Sequence, residues 1–215
     1  MKRKQQYLWL AGLFLLAFTS CKPTAQNLWN GKDFNGWEFV LANDSVSPEN
    51  VWSVSDGVIH CKGAPNGYMR TKEQYFDFEL EVEWRWPEKP GNSGVFLNAQ
   101  MPDQVWPNCI ECQLEAGNAG EFILIGPGSS LKVHDSLYTC TDIFLRLPKN
   151  EESSEKPAGE WNHYKISCTG QEISCYVNGV LQNQGTDPSL KQGYICLQSE
   201  GAPIEFRKIH LTPIK

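Results

Sequence analysis

Only four histidines occur in the 215 residues, and no two of them stand at a metal-binding spacing. His60 alternates with apolar neighbours, His210 lies in the last strand-like run, and His134 and His163 sit beside loops or strand starts. Each reads as structural. Cys109-x-x-Cys112 has no second CxxC to complete a zinc site, and it lies in a strand-like run rather than at a helix start. Positions i and i+3 of a strand face opposite ways, which argues against a bridge between the two. The chain also lacks a G-x-S-x-G elbow and a phosphate-cradling glycine loop, so nucleotide chemistry has no support. No basic cluster interrupts the acidic composition, which argues against nucleic acid and against charge-driven binding to an anionic membrane. Sustained helical periodicity, internal repeats and a linker are absent as well.

What is present begins with a targeting signal. Lys2, Arg3 and Lys4 precede an apolar run from Tyr7 to Phe18, and Thr19-Ser20-Cys21 follows. The run is shorter than the roughly 20 apolar residues of a membrane span. Ser20 suits a lipoprotein cleavage site, although Phe18 stands where an aliphatic residue is usual. The expectation is a signal over residues 1–20, a lipid on Cys21, a short linker over 21–26 and one domain over 27–215. Such a protein sits at the cell envelope and touches the membrane only through its lipid. Losing the three signal cations takes the formal charge from −6 to −9. Export makes disulfides possible, but Cys61, Cys109, Cys112, Cys140, Cys168, Cys175 and Cys196 are odd in number, so at least one thiol stays free or pairs between chains.

The rest reads as strands. Tyr75–Trp86 alternates strictly, with Phe76, Phe78, Leu80, Val82, Trp84 and Trp86 on one face and Asp77, Glu79, Glu81, Glu83 and Arg85 on the other. That period of two predicts a long strand with one buried face. About ten further runs, among them Cys109–Ala116 and Tyr194–Gln198, are separated by turns such as Asp56-Gly57 and Asn178-Gly179. Leu147–Gly159, rich in Glu, Lys, Ser and Pro, reads as a solvated loop. Around a dozen strands in one domain predict an all-β fold of two packed sheets, a sandwich or jelly roll. Its aromatics would fill the core or line a groove where flat sugar faces stack.

The densest polar pattern is Glu111-x-Gln113-x-Glu115. On a strand the three side chains share a face, about 6–7 Å apart in succession. Two carboxylates flanking an amide suit acid/base work on a sugar, one ionised and the other held protonated by its surroundings. A wet outer sheet face shows the same alternation. Glu83 and Arg85 form a second candidate pair, and Gly91-Asn92-Ser93-Gly94 opens the next strand.

Several motifs in order resemble the 3-keto-disaccharide hydrolase family. They are Leu28-Trp29-Asn30-Gly31-Lys32-Asp33-Phe34-Asn35-Gly36-Trp37, Trp52–Ile59, Tyr75–Leu80, Glu83–Arg85, Asn92-Ser93-Gly94-Val95, Glu111-x-Gln113-Leu114, Trp161-Asn162, Val177-Asn178-Gly179, Gly193–Gln198 and Phe206–Ile209. The resemblance spans about residues 27–214. It implies a concanavalin-A-like jelly-roll sandwich of two antiparallel sheets, a site on the concave sheet, and substrates oxidised at C3. It implies Glu111 as base or nucleophile, with Glu115 or Glu83 as partner acid. Asn92, Ser93, Gln113 and Gln198 would bind hydroxyls. Arg85, Asn92 or a bound divalent metal ion would stabilise an enolate-like oxygen. Cleavage would run by β-elimination and hydration, or by direct displacement between two carboxylates. Two departures stand out: Glu200 occupies a position where the family often has histidine, and Glu115 or a neighbour must serve for an aspartate at the end of the E-x-Q strand. A non-catalytic carbohydrate-binding module is the alternative, since one sandwich hosts both. A flat-faced surface adhesin is a third reading.

Overall fold

The structure, a computed structural model, describes residues 24–214. The signal segment and Cys21 lie outside the described residues. Seventeen strands follow one another: β1 (Gln26–Asn27), β2 (Trp37–Leu41), β3 (Trp52–Ser55), β4 (Val58–Cys61), β5 (Gly67–Thr71), β6 (Phe78–Arg85), β7 (Gly94–Ala99), β8 (Cys109–Gln113), β9 (Phe122–Ile125), β10 (Ser130–Val133), β11 (Ser136–Thr139), β12 (Phe144–Leu147), β13 (Asn162–Cys168), β14 (Glu172–Val177), β15 (Val180–Thr186), β16 (Tyr194–Ser199) and β17 (Ile204–Pro213). One 3₁₀ turn over Pro48–Asn50 is the only helical element among the described residues. The strands form two antiparallel sheets. A ten-stranded sheet runs β11-β10-β15-β14-β13-β6-β17-β4-β3, with β1 added to β17, and a seven-stranded sheet runs β12-β9-β8-β7-β16-β5-β2.

The alternation seen in the sequence locates the core. In β6, Phe78, Leu80, Val82 and Trp84 are buried, while Glu79, Glu81, Glu83 and Arg85 are half-exposed on the outer face. Cross-strand partners from β13 and β17 flank it, so these side chains sit in the middle of the larger sheet. The strand is shorter than the period predicts. Asp77 turns left-handed (φ 45°), its side chain accepts the Gly170 N–H at 2.7 Å, and Phe76 is left 64% exposed rather than buried. Residues 148–161 form a loop as expected, but a pinned one: Glu155 accepts the Ala119 N–H, and Ser154 donates to the Val177 carbonyl.

The seven-stranded sheet is different, because its middle strands are covered on both faces. One face packs on the main core. The other carries a second apolar cluster of Tyr68, Phe96, Ala99, Cys109, Ile123, Ile125 and Cys196. The loop after β7 covers part of it. Asp103 there accepts a two-pronged hydrogen bond from Arg70, at 2.9 and 3.0 Å, and Gln104 accepts one from the Tyr68 hydroxyl. This second cluster is why β5, β7, β8 and β9 are buried at every position.

The seven cysteines among the described residues are all buried free thiols. Cys109 faces the second cluster and Cys112 the main core, as the strand period requires. Cys112 and Cys175 meet across the core, sulfur to sulfur at 3.0 Å. Burial pushes the Cys61 thiol up to about 11 and the Cys168 thiol up to about 12, so both are poor nucleophiles in the folded state.

Candidate functional site

The outer face of the seven-stranded sheet carries one cross-strand row: Glu38, Arg70, Cys196, Phe96, Glu111, Ile123 and Arg146. Glu111 is therefore a carboxyl set between apolar neighbours, and it is only 3% exposed. Its Oε1 finds no hydrogen-bond partner among the described residues. Burial drives its pKa well above the ordinary carboxylate range, the Glu200 charge adds to this, and the Arg146 charge opposes it. Burial thus favours the protonated form of Glu111.

The surroundings account for that position. Gly94 lies opposite Gln113 in the ladder, and the Glu111 carboxyl folds over its Cα. A β-carbon there would overlap Glu111 Oε1 and stand 2.9 Å from its Cγ. Gly94→Ala is expected to fold, since Glu111 can swing aside, and to lose activity about 100-fold through the displaced carboxyl. Unchanged kcat/KM in that variant would mean that the carboxyl's position does not matter.

Glu200 sits across from Glu111. Its carboxylate accepts a hydrogen bond from Asn92 Nδ2 at 2.8 Å, and isolated bridges tie Asn92 to Glu200 and Gly201. Partial burial raises its pKa, with Gln198 opposing and the Glu115 charge adding to the rise. Glu115 is the opposite case. Its contact with Arg146 holds its pKa below the usual range despite some burial, and Asn118 helps with a hydrogen bond of 2.9 Å. Arg146 also pairs with Glu121 at 2.5 Å. Carboxyl groups whose pKa values are pushed apart in this way, one upwards and one downwards, are the usual arrangement for acid and base work in one cleft.

The cleft holds about 340 Å³, and its polar lining is Asn92, Glu111, Gln113, Glu115, Arg146 and Glu200. Trp106, Ile123, Ile125, Ile143 and Phe144 complete the lining, with Ile123 between Glu111 and Arg146 in the ladder. Asn92 Oδ1 and both polar atoms of Gln198 are buried and make no hydrogen bond of ordinary geometry among the described residues, although the Gln198 amide lies near enough to Glu200 to lower its pKa. Buried groups left unpaired are rare in folded proteins and are the ones a ligand can satisfy. Gln113 turns its Oε1 onto the backbone N–H groups of Leu114 and Glu115, at 2.9 Å each, which leaves its NH2 to face the cleft. Ser93 is fully buried and donates to the Gln198 carbonyl at 2.8 Å, so it braces the neighbouring strand.

The structure therefore brings together Asn92, Glu111, Gln113, Glu115 and Gln198, with Ser93 behind them. It does not bring Glu83 or Arg85 to them. Both are on the outer face of the other sheet, across the core. Glu83 is bound by Arg207 and Lys208, whose charges outweigh burial and lower its pKa. Arg85 bonds Glu205 at 2.5 Å and stacks on Trp161. Arg146, Glu121 and Trp106 were not singled out from the sequence. Arg146 lies in β12, where Phe144 and Arg146 alternate with Leu145 and Leu147, so four residues of period two carried the only signal. Among the described residues no three His, Cys, Asp or Glu side chains stand where they could share a metal ion.

The model of the 3-keto-alpha-glucoside-1,2-lyase-like domain matches residues 24–212 of the chain. Among solved structures, a candidate glycosyl hydrolase of Parabacteroides distasonis ATCC 8503 is 20% identical, with 89% of this chain and 94% of that one covered and a TM-score of 0.63. A β-glucanase of Bacillus licheniformis is 12% identical, with 91% and 100% covered and a TM-score of 0.58. The carbohydrate binding module CBM66 of Bacillus subtilis is 13% identical, with 81% and 93% covered and a TM-score of 0.56. These likenesses establish the fold as the concanavalin-A-like jelly roll. No curated protein sequence matches the chain.

Proposed function

We propose that this chain, which belongs to the 3-keto-alpha-glucoside-1,2-lyase-like family, cleaves the glycosidic bond of a sugar oxidised at C3. The observation that carries the reading is Glu111, a buried carboxyl with Oε1 unpaired and its protonated form favoured by burial, which lines one cleft with a second carboxyl, Glu200. A sugar-binding module has no need of such a group, since hydroxyls are held as well by amides and ionised carboxylates.

A ketone at C3 acidifies the C2 hydrogen. Glu200 takes that proton as base, and Glu111 gives its own proton to the C1 oxygen as the C1–O bond breaks. The products of this step are a free alcohol and an enone whose double bond joins C1 and C2 beside the C3 ketone. Water then adds at C1, losing a proton to Glu111, while Glu200 returns its proton to C2. One water is consumed and both residues are restored. Charge developing on the C3 oxygen calls for preorganised donors, and the amide of Gln198 and the NH2 of Gln113 are the groups at hand. Glu111 thereby acts as acid, in place of the base-or-nucleophile role that the family resemblance implies, because burial favours its protonated form. The N-terminal segment supports a place at the cell envelope with lipid on Cys21.

The test is turnover of a 3-keto-disaccharide by residues 22–215 in D2O, with and without chelator. Elimination puts deuterium at C2, whereas direct displacement leaves C2 unlabelled. Activity lost on chelation would add a metal ion to the scheme. Absence of turnover with intact sugar binding would support the binding module. The pH profile is a second readout. Activity needs Glu200 ionised and Glu111 protonated, so it falls at low pH as Glu200 takes a proton and at high pH as Glu111 loses one. Both limbs are expected above the pH range of ordinary carboxylates.

A further inference from the structure

A second polar cluster lies on the outer face of the ten-stranded sheet, across the core from the cleft. Arg85, Glu205, His60 and Ser53 are cross-strand partners along β6, β17, β4 and β3, and Ser55 is two residues beyond Ser53 on the same face. Ser55 Oγ lies 2.8 Å from His60 Nε2, and His60 Nδ1 lies 2.9 Å from Glu205 Oε1. The other oxygen of Glu205 accepts a hydrogen bond from Arg85 Nε at 2.5 Å. The Glu205 side chain, only 11% exposed, is thus held at both oxygens. A carboxylate paired with a guanidinium can only accept, so His60 carries its ring proton on Nδ1 and donates it to Glu205. Nε2 is then the acceptor, and the Ser55 hydroxyl donates to it.

We propose that Ser55, His60 and Glu205 form a second catalytic site, separate from the cleft, that hydrolyses short-chain acyl esters. A nucleophile and a base within hydrogen-bond reach, with the base oriented by a third group, are the working parts of a serine acyl-transfer centre. Ser55 Oγ attacks the ester carbonyl, and its proton passes to His60 Nε2 while Glu205 faces the imidazolium. The ester C–O bond breaks, and the alcohol leaves with that proton. Water then attacks the acyl carbon and gives a proton to His60, which returns it to Ser55 Oγ. One ester and one water become one carboxylic acid and one alcohol. Charge on the carbonyl oxygen calls for a donor. Asp56 and Gly57 form a left-handed turn directly after Ser55 (φ 51° and 70°), and their N–H groups donate to no acceptor among the described residues. The N–H of the residue after the nucleophile is the one that serves in serine hydrolases with a nucleophile elbow, and here it is that of Asp56. Ser55 and Gly57 are exposed, and a β-carbon on Gly57 would meet nothing within 4 Å, so an ester on a bulky carrier can reach the turn. Ser53, His60 and Glu205 offer no apolar wall for a long acyl chain, which favours a group of acetyl size.

The experiment treats the protein with a fluorophosphonate, which phosphonylates activated serines, and locates the label by peptide mass spectrometry. Ser55 should carry it in the wild type. Hydrolysis of p-nitrophenyl acetate should fall about 100-fold in Ser55→Ala and in His60→Gln. Glu205→Gln should slow labelling of Ser55 as well, because an amide can present a donor to Nδ1 and turn the imidazole to the wrong tautomer. Ser55 and His60 lie on the wet face of the sheet, so their variants are expected to keep the fold, which circular dichroism checks. An unlabelled Ser55 in the wild type overturns the proposal, and this outcome needs no variant. Ester hydrolysis that survives in folded Ser55→Ala, or equal labelling of Ser55 in wild type and folded His60→Gln, overturns it too. A p-nitrophenyl octanoate hydrolysed as fast as the acetate overturns the short-chain assignment. Ser55→Ala should leave turnover of a 3-keto-disaccharide unchanged, so this site and the cleft stand or fall separately.

Discussion

Glu111→Gln should lower kcat by about 1,000-fold and leave the protein at least as stable as the wild type. The two expectations share one cause. Glu111 is buried among apolar neighbours with Oε1 unpaired, and its pKa is raised well above the ordinary range. Its protonated form is a neutral acid, and glutamine reproduces the shape and the neutrality of that form but has no proton to give. The sign of the stability effect follows from linkage. In the unfolded chain Glu111 titrates near an ordinary carboxylate, whereas in the folded protein it holds its proton to higher pH. Between those two values the folded state binds more protons, so the wild type loses stability as pH rises, until the folded pKa is passed. Glutamine escapes that loss. Melting temperatures of the two proteins should coincide at acid pH and diverge in favour of the variant as pH rises. A folded variant with full activity would remove Glu111 from the chemistry. A variant destabilised at neutral pH would mean that the carboxyl is ionised and paired there.

The two sheets differ in how clearly the sequence announces them, and the difference is physical. The ten-stranded sheet has one wet face, so β6 and β13 alternate buried and half-exposed residues and can be read directly. The middle strands of the seven-stranded sheet are buried on both faces, so β5, with Gly67, Tyr68, Met69, Arg70 and Thr71 all buried, shows no period of two and is not foreseen. β10, β11 and β12 are only four residues each, too short for a pattern to emerge from the surrounding turns. The candidate site follows the same division. Glu111 and Gln113 are legible because they interrupt an apolar strand at alternate positions. Arg146 is not, because it lies four strands later in sequence and reaches Glu111 only through the ladder Glu111–Ile123–Arg146. Glu83 and Arg85 illustrate the converse. Their alternation is real, but it marks the wet face of the other sheet.

Arg146 offers the sharpest test of the cleft's electrostatics, because its charge acts on several carboxyl groups at once. It contacts Glu115, pairs with Glu121 at 2.5 Å and lowers the pKa of Glu111 by its charge alone. In Arg146→Met all three carboxyl groups lose that cation. Glu115 rises from its depressed value, since the Arg146 contact is the largest cause of the depression. Glu111 rises further, so the high-pH limb of the activity profile should move to higher pH, which a merely structural arginine would not do. We expect kcat/KM to fall about 100-fold as the field across the cleft is lost. Stability should fall by roughly 2 kcal/mol, below the cost of breaking a fully buried pair, because the Arg146 side chain is 43% exposed and solvent screens part of the interaction. Part of that loss has its own pH signature. Glu115, with its pKa depressed in the folded state, stabilises the wild type above the unfolded pKa, and the benefit disappears as pH falls through the folded value. The gap in melting temperature between wild type and variant should therefore narrow towards acid pH. Arg146→Lys keeps the charge without the two-pronged geometry, and should recover the position of the high-pH limb but only part of the rate. A limb that stays in place in Arg146→Met would show that the groups titrating in the profile are not those facing this cleft.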